Sequence, residues 1–389
     1  MIRIGIECEQ LEGRRFGIGH TLAQFLEYLT TIPDIEKRFR FVLYFKARMP
    51  DDAFLTHPAF EKKVLMAGKG WFKVSFNIFY HILLPFHYWK DRIDVFFFPS
   101  YMLPAFFAGK SVVVLVNDVY WEAHHGTIPF RYRISYLLFG WWAAKRARIM
   151  TISEFSKKEL QRFYHIPEKR IFVNPWGMEP IFSVLPRTNE YVKKAAEIKK
   201  RLGIERDFFL SVGQAFPRRH VKEAIEGFML IAKDNPAVQY LVGCTDKYNP
   251  PLLAALTEEV NEKTGRKAVI FVEYLPREDM PYLMNEMSAL VYVSSTEALG
   301  IPPIEAGLCG KPAIIADMPT NKEVFGDDGF FVRDHARPEE IAQRMEEVIR
   351  QPEKVGRILK KQAPYLKRYD WHDHTRLLLT LFDHITARS

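Results

Sequence analysis

The segment SSTEALGIPPIEAGLCGKPAIIAD, residues 294–317, decides the fold class. It follows a β-branched run at Leu290–Val293 and closes on another at Ala313–Ile315, with a short helix between. Pro302 and Pro303 suit the opening turn of that helix, where a missing N–H leaves no intrahelical bond unmade. Gly310, followed by Lys311 and Pro312, ends it within about two turns. Strand, helix and strand at this spacing form the repeating unit of a parallel sheet with crossover helices.

The rhythm extends in both directions. Strands are predicted near Arg3–Ile6, Phe41–Phe45, Val95–Phe98, Ser111–Val116, Ile149–Ile152 and Ile171–Val173, and again near Phe208–Val212, Gln239–Val242, Val269–Phe271 and Phe330–Val332. Helical patterns such as Val221–Lys233 and Pro338–Arg350 separate them. Between the halves, MEPIFSVLPRTNEYVKKAAEIKKRLGIERD carries prolines and then a charged run, the pattern of a linker or solvated connecting helix. The reading is an α/β protein with Rossmann-like domains at 1–185 and 206–369, a linker at 186–205 and an amphipathic helix at 370–389. That last helix offers Trp371, Leu377, Leu378, Leu379, Leu381 and Phe382 for burial and needs a surface to dock on.

A chain of 389 residues with 48% hydrophobic side chains supports two cores. The excess of 55 Lys+Arg over 47 Asp+Glu, a net charge of +8, suits an anionic partner. Cys8, Cys244 and Cys309 are far apart in sequence, which indicates neither a disulfide framework nor a zinc site. The opening MIRIGIECEQ lacks a signal-peptide pattern, and no stretch approaches a spanning helix, so a cytoplasmic protein, soluble or surface-bound, is expected.

Three segments carry chemistry. In residues 294–317, the N–H groups around Ala298–Ile301 lie at a helix start and favour phosphate oxygens. Glu305, one turn into that helix, is expected to stay ionised and to accept two hydroxyl hydrogen bonds, as a ribose diol offers. Glu297, in the loop, faces the sugar of such a ligand. Read alone, the two glutamates are simply favourable charges at a helix N-terminus. In FFLSVGQAFPRRHVKEAIEGF, residues 208–228, a strand runs through Gly213 into Arg218 and Arg219, and two guanidiniums at a sheet's carboxyl edge neutralise a leaving diphosphate. In GRRFGIGHTLAQFLEYL, Gly17 and Gly19 allow close backbone approach. The dinucleotide spacing G-x-G-x-x-G is absent there, which counts against nicotinamide or flavin.

In register, these segments resemble glycosyltransferase family 4, retaining enzymes of the GT-B fold. GIGH at 17–20 is similar to the family's glycine loop, FPS at 98–100 and Asn117-Asp118 follow strands as the family's pattern requires, and TISEFSKKEL at 151–160 matches its Ser-rich segment. NPWGME at 174–179 resembles its Asn-x-x-Gly turn, VGQAFPRRH at 212–220 its Arg-Lys-Asn segment, and EALGIPPIEAG at 297–307 its donor motif. The resemblance implies two Rossmann-like domains facing across a cleft, with the C-terminal helix packing back on the N-terminal domain. It implies that Arg218 and Arg219 contact the donor diphosphate, Glu305 the ribose and Glu297 the transferred sugar. The amides near Leu299, Gly300 and Ile301, with Gly17, Gly19 and Gly213, complete the donor pocket, and Asn117, Asp118 and His124 lie on the acceptor or sugar side. The family commonly has His where Asn117 stands, Gly-Phe where Ala298-Leu299 stand and Lys-Asn where Arg219-His220 stand.

The implied reaction is retaining, metal-independent hexosyl transfer from a nucleotide-sugar to a glycan or lipid-linked glycan, as in cell-surface polysaccharide biosynthesis. No cofactor is expected, and the nucleotide-sugar is a substrate. GDP-mannose is favoured over a UDP-sugar because GIGH is similar to loops of mannosyltransferases. Residues 68–92, GKGWFKVSFNIFYHILLPFHYWKDR, and 131–148, RYRISYLLFGWWAAKRAR, interleave aromatics with cations. Such stretches suit either an anionic membrane face or core-facing helices with charged outer sides. Competing readings are a sugar-nucleotide epimerase or a non-catalytic sugar-nucleotide binder of the same architecture. A nucleic-acid binder has only the charge in its favour, with no recognised module.

Overall fold

The computed structural model describes residues 1–13, 15, 17–66, 75–125 and 130–387, apart from the side chains of residues 122, 123, 125, 131 and 132. Residues 68–74 of the first basic-aromatic stretch lie outside the described residues. The chain forms two compact units, one of Met1–Gly177 with Tyr369–Ser389, the other of Met178–Arg368.

The first unit is built on a seven-stranded parallel sheet: β1 (Ile2–Glu7), β2 (Phe39–Phe45), β3 (Phe60–Val64), β4 (Val95–Phe98), β5 (Ser111–Val114), β6 (Arg148–Thr151) and β7 (Ile171–Val173), in the order 3-2-1-4-5-6-7. The second has β8 (Asp207–Ala215), β9 (Val238–Asp246), β10 (Val269–Val272), β11 (Ala289–Tyr292), β12 (Ala313–Ala316) and β13 (Phe330–Val332), in the order 10-9-8-11-12-13. Central strands such as β4, β5, β11 and β12 are buried at every position, as strands covered by helices on both faces must be. Strand β3, FEKKV, is absent from the sequence reading. It is an edge strand, and the charges that hide it from a hydrophobic scan also suit an edge.

The segment 186–205 contains more than a linker. Thr188 caps a helix at Asn189–Leu202, its side chain accepting from the Tyr191 N–H at 3.2 Å, and Gly203 ends that helix at φ +75°. Tyr191, Ala195 and Ile198 face inward, so this charged helix packs on the second unit.

The C-terminal helix Trp371–Ala387 docks on the first unit, where Trp371, Leu378 and Phe382 join the core formed by β1, β2, β4 and the helix Gly17–Leu29. The turn at 174–177 receives it. Buried Asn174 donates through Nδ2 to the His374 carbonyl at 3.1 Å, and His374 Nδ1 lies 3.0 Å from the Pro175 carbonyl. A Cβ at Gly177 would meet the Trp371 ring at 2.5 Å, so only glycine lets the indole seat.

Burial holds the His374 imidazole down to about 4 from its ordinary 6.5. The unfolded chain therefore takes up this proton first, and stability contributed by the neutral ring is full above pH 6.5 and lost as pH falls toward 4, by about 3 kcal/mol at most. Urea titrations at pH 7 and pH 5 should show the wild type losing more stability on acidification than His374→Gln. Equal losses would remove His374 as the cause.

Candidate active site

Each sheet reverses its winding beside its first strand, between β1 and β4 in one unit and between β8 and β11 in the other. Connections on the two sides of such a point diverge and leave a crevice at the carboxyl ends of the strands. In the second unit, the loop after β8 carries Arg218 and Arg219, and the loop after β11 carries Glu297.

The two loops are bonded to each other. The Arg218 carbonyl accepts from the Ser295 N–H at 2.8 Å and the Ser295 hydroxyl at 3.1 Å, while His220 Nε2 lies 2.6 Å from the same hydroxyl. Pro217–Arg219 form a tight turn, and His220 at φ +48° starts the helix Val221–Ile231. Glu297 is 8% exposed, and its Oε1 accepts from Arg218 Nη1 at 3.3 Å and from the Tyr292 hydroxyl at 2.9 Å. Arg219 Nε is 3.4 Å from the same oxygen, and the Arg219 guanidinium lies over the Tyr292 ring, 5.0 Å from its centre. Arg218 also donates to the Thr296 carbonyl at 2.9 Å. Burial raises the Tyr292 phenol, keeping it a neutral donor.

Gly213, at φ +106° near the end of β8, has a structural reason to lack a side chain: a Cβ there would come within 2.8 Å of Arg219 Nη1. Gly300, at φ +77°, opens the helix Ile301–Leu308, with Ala298 and Leu299 buried behind it. Pro302 and Pro303 have no N–H, so the free backbone donors of the first turn are those of Gly300 and Ile301.

Glu305 differs from the sequence expectation. It is the fifth residue of that helix, beyond the reach of most of the dipole, and burial raises its carboxyl against the pull of Arg277. Arg277 Nη2 donates to Glu305 Oε1 at 3.0 Å and to Glu179 Oε1 at 2.7 Å, and its guanidinium lies 4.4 Å from the Phe182 ring centre. Arg277, Glu179 and Tyr292 were not singled out in the sequence. Arg277 is 28 residues from Glu305 in an unremarkable PRED turn, whereas Tyr292 stood in plain view at the end of a strand.

The remaining predicted residues belong to the first unit. Gly19 is packed so that a Cβ would lie 2.4 Å from the Gln10 carbonyl, whereas Gly17 has open space at that position. Asn117 begins the helix Asn117–His125 next to Asp118; its N–H donates to Ser156 Oγ at 3.0 Å, and its buried Oδ1 has no hydrogen-bond partner among the described residues. His124 stacks on Tyr120 at 3.9 Å, with Nδ1 3.0 Å from the Tyr120 carbonyl, a local role on its own helix. Glu7 closes β1, accepts from the Glu9 N–H at 2.6 Å, and is pushed up to about 8 by burial, placing a group that titrates near neutrality at this edge. No cluster of three His, Cys, Asp or Glu residues suited to a metal ion occurs among the described residues.

Residues 194–385 match the family described as Glycosyl transferases group 1. O-antigen chain mannosyltransferase B of Escherichia coli is 26% identical over 186 residues, covering 46% of each chain. O-antigen chain mannosyltransferase RfbU of Salmonella typhimurium is 23% identical over 261 residues, 65% of this chain and 66% of that one. The match thus spans about half to two thirds of these relatives' own lengths. Among solved structures, Anabaena Alr3699/HepE in complex with UDP-glucose superposes with a TM-score of 0.70 at 16% identity, covering 98% and 99% of the two chains. WaaG, a glycosyltransferase involved in lipopolysaccharide biosynthesis, gives 0.68 at 16% identity over 94% and 95%. The two parallel-sheet units are those of the GT-B glycosyltransferase fold, and residues 194–385 are similar to the group 1 glycosyl transferases.

Proposed function

We propose that this chain transfers a hexosyl unit, mannose, from a GDP-sugar to a glycan or lipid-linked glycan of a cell-surface polysaccharide, with retention at the anomeric carbon. The observation that carries the proposal is the shared Glu297 oxygen, which holds two guanidiniums at the switch point of the second sheet. The O-antigen mannosyltransferase relatives support the sugar and the pathway class.

Breaking the anomeric C–O bond builds positive charge on the sugar and negative charge on the diphosphate. Arg218 and Arg219 take the diphosphate, together with the amides around Leu299, Gly300 and Ile301. Glu297 acts in two ways: it fixes the guanidiniums before the donor arrives, and its carboxylate stabilises the sugar's developing charge. Glu305, aligned by Arg277, accepts from the ribose hydroxyls. The acceptor hydroxyl attacks from the face the diphosphate leaves, and a departing phosphate oxygen takes its proton. Asn117 and Asp118, which follow β5 of the first unit, are assigned to the acceptor, whereas His124 stays engaged with Tyr120 on its own helix.

Initial rates of nucleotide release should fall at least about 100-fold in Glu297→Ala and in Arg218→Ala/Arg219→Ala, measured at a temperature where circular dichroism shows both variants folded. Full turnover by either variant would sink the assignment. Because two arginines carry the diphosphate, wild-type rates should persist in excess EDTA; abolition reversed by added Mg²⁺ would contradict this.

Arg277 is assigned a positioning role, since it acts through Glu305. Arg277→Met should raise the donor KM about tenfold with kcat nearly unchanged, the signature of lost uniform binding. A fall in kcat at constant KM would place Arg277 in the chemical step. In a thermal-shift panel of GDP-, UDP- and ADP-sugars, GDP-mannose should stabilise most, by about 2.7 kcal/mol at a hundredfold excess over Kd. A larger shift with a UDP-sugar would reassign the donor.

A further inference from the structure

The first unit carries large apolar side chains where solvent should favour polar ones. In the continuous helical stretch 76–90, Phe79, Tyr80, Leu84 and Tyr88 enter the core, while Ile82, Phe86 and Trp89, spaced i, i+4, i+7, stand exposed, Trp89 by 67%. The helix Phe130–Arg146 is inverted: its fully buried residues among those described are the small Gly140, Ala143 and Ala144, while Ile134, Leu138 and Trp141 face outward. These two elements touch where the His81 ring stacks on Phe139 at 5.4 Å. A third element joins them, because the Ala105 N–H donates to His81 Nδ1 at 3.1 Å and the next residue, Phe106, is 77% exposed. An amphipathic helix in a water-soluble protein buries its large apolar side. Here much of it is turned out, in a patch contributed by three segments.

The helical segments that carry the patch are cationic. Residues 76–92 and 130–148 hold seven Lys and Arg (Lys90, Arg92, Arg131, Arg133, Lys145, Arg146 and Arg148) against a single acid, Asp91. The Asp91 side chain is 7% exposed and is already engaged by Lys63, His87 and Tyr44. Lys90 and Lys145 lie over the rings of Phe86 and Trp141, at 5.6 and 4.4 Å, their ammonium groups beside the exposed aromatics. Neither they nor Arg146 has a carboxylate within ion-pair distance among the described residues. A two-fold contact with a second copy would set these cations against one another. Aromatic anchors ringed by Lys and Arg fit the interface of a bilayer with anionic head groups. Among the described residues no helix is long and apolar enough to cross a membrane, so the contact is one of lying on the surface.

We infer that the exposed face formed by Ile82, Phe86, Trp89, Phe106, Leu138 and Trp141, with its cationic rim, docks this chain on an anionic lipid membrane. The inference is independent of the donor chemistry, because all of these residues belong to the first unit, whereas Glu297 and the arginine pair belong to the second.

The test is flotation of the full chain with phosphatidylcholine vesicles lacking or containing phosphatidylglycerol. The vesicle-bound fraction should be at least about tenfold larger on anionic vesicles and should fall as salt is raised. Phe86→Ser/Trp89→Ser should cut binding at least about fivefold, and Lys145→Glu/Arg146→Glu should erase the preference for anionic vesicles, both with wild-type melting temperatures because these side chains are exposed. Glu297→Ala should float like the wild type, which separates this surface from the donor site. Equal binding to both vesicle types, or variants that float like the wild type, would overturn the inference. So would a wild-type dimer in sedimentation that the Phe86/Trp89 variant dissociates, since it would assign the face to a second copy.

Discussion

One buried carboxylate oxygen organises the candidate site. Glu297 Oε1 is shared by Arg218, the Tyr292 hydroxyl and, at slightly longer range, Arg219. Two guanidiniums placed side by side repel each other, and a carboxylate between them makes the arrangement stable without a ligand. The cluster still carries a net positive charge, which is what a diphosphate requires. Removing Glu297 would therefore do more than delete a charge near the sugar: it would release both arginines and strand a buried phenol.

The rest of the second unit serves that oxygen. The winding of the sheet reverses between β8 and β11, which brings two loops distant in sequence to one edge. The Arg218 carbonyl, bonded to Ser295, fixes the loops to each other, and Gly213 leaves room for Arg219. Arg277 repeats the theme beside it, one cation satisfying Glu179 and Glu305. Preorganised polar groups of this kind avoid reorganisation when charge develops during a reaction.

The alternation of apolar strands and helices was legible because it is local, and so was the strand-loop-helix setting of Arg218, Arg219, Glu297 and Glu305. What local pattern could not show was the contacts between distant segments. Strand β3 escaped because edge strands are polar. Arg277 escaped because its partners are 28 and 98 residues away. The Asn174–Gly177 turn was visible as a motif, but its work as the socket for Trp371 and His374 depends on a helix nearly 200 residues later. Glu305 was legible only in part: its place near a helix start is a property of the sequence, whereas its burial and its bond to Arg277 are properties of the packed unit.

The central claim is that the loops after β8 and β11 form one preorganised receptor for the diphosphate of a nucleotide-sugar. Amide hydrogen exchange of the full chain with and without saturating GDP-mannose tests it most directly. The account predicts that exchange slows at least about tenfold in residues 216–220 and 294–301 together. Donor binding that leaves both loops unprotected while slowing exchange elsewhere would contradict it.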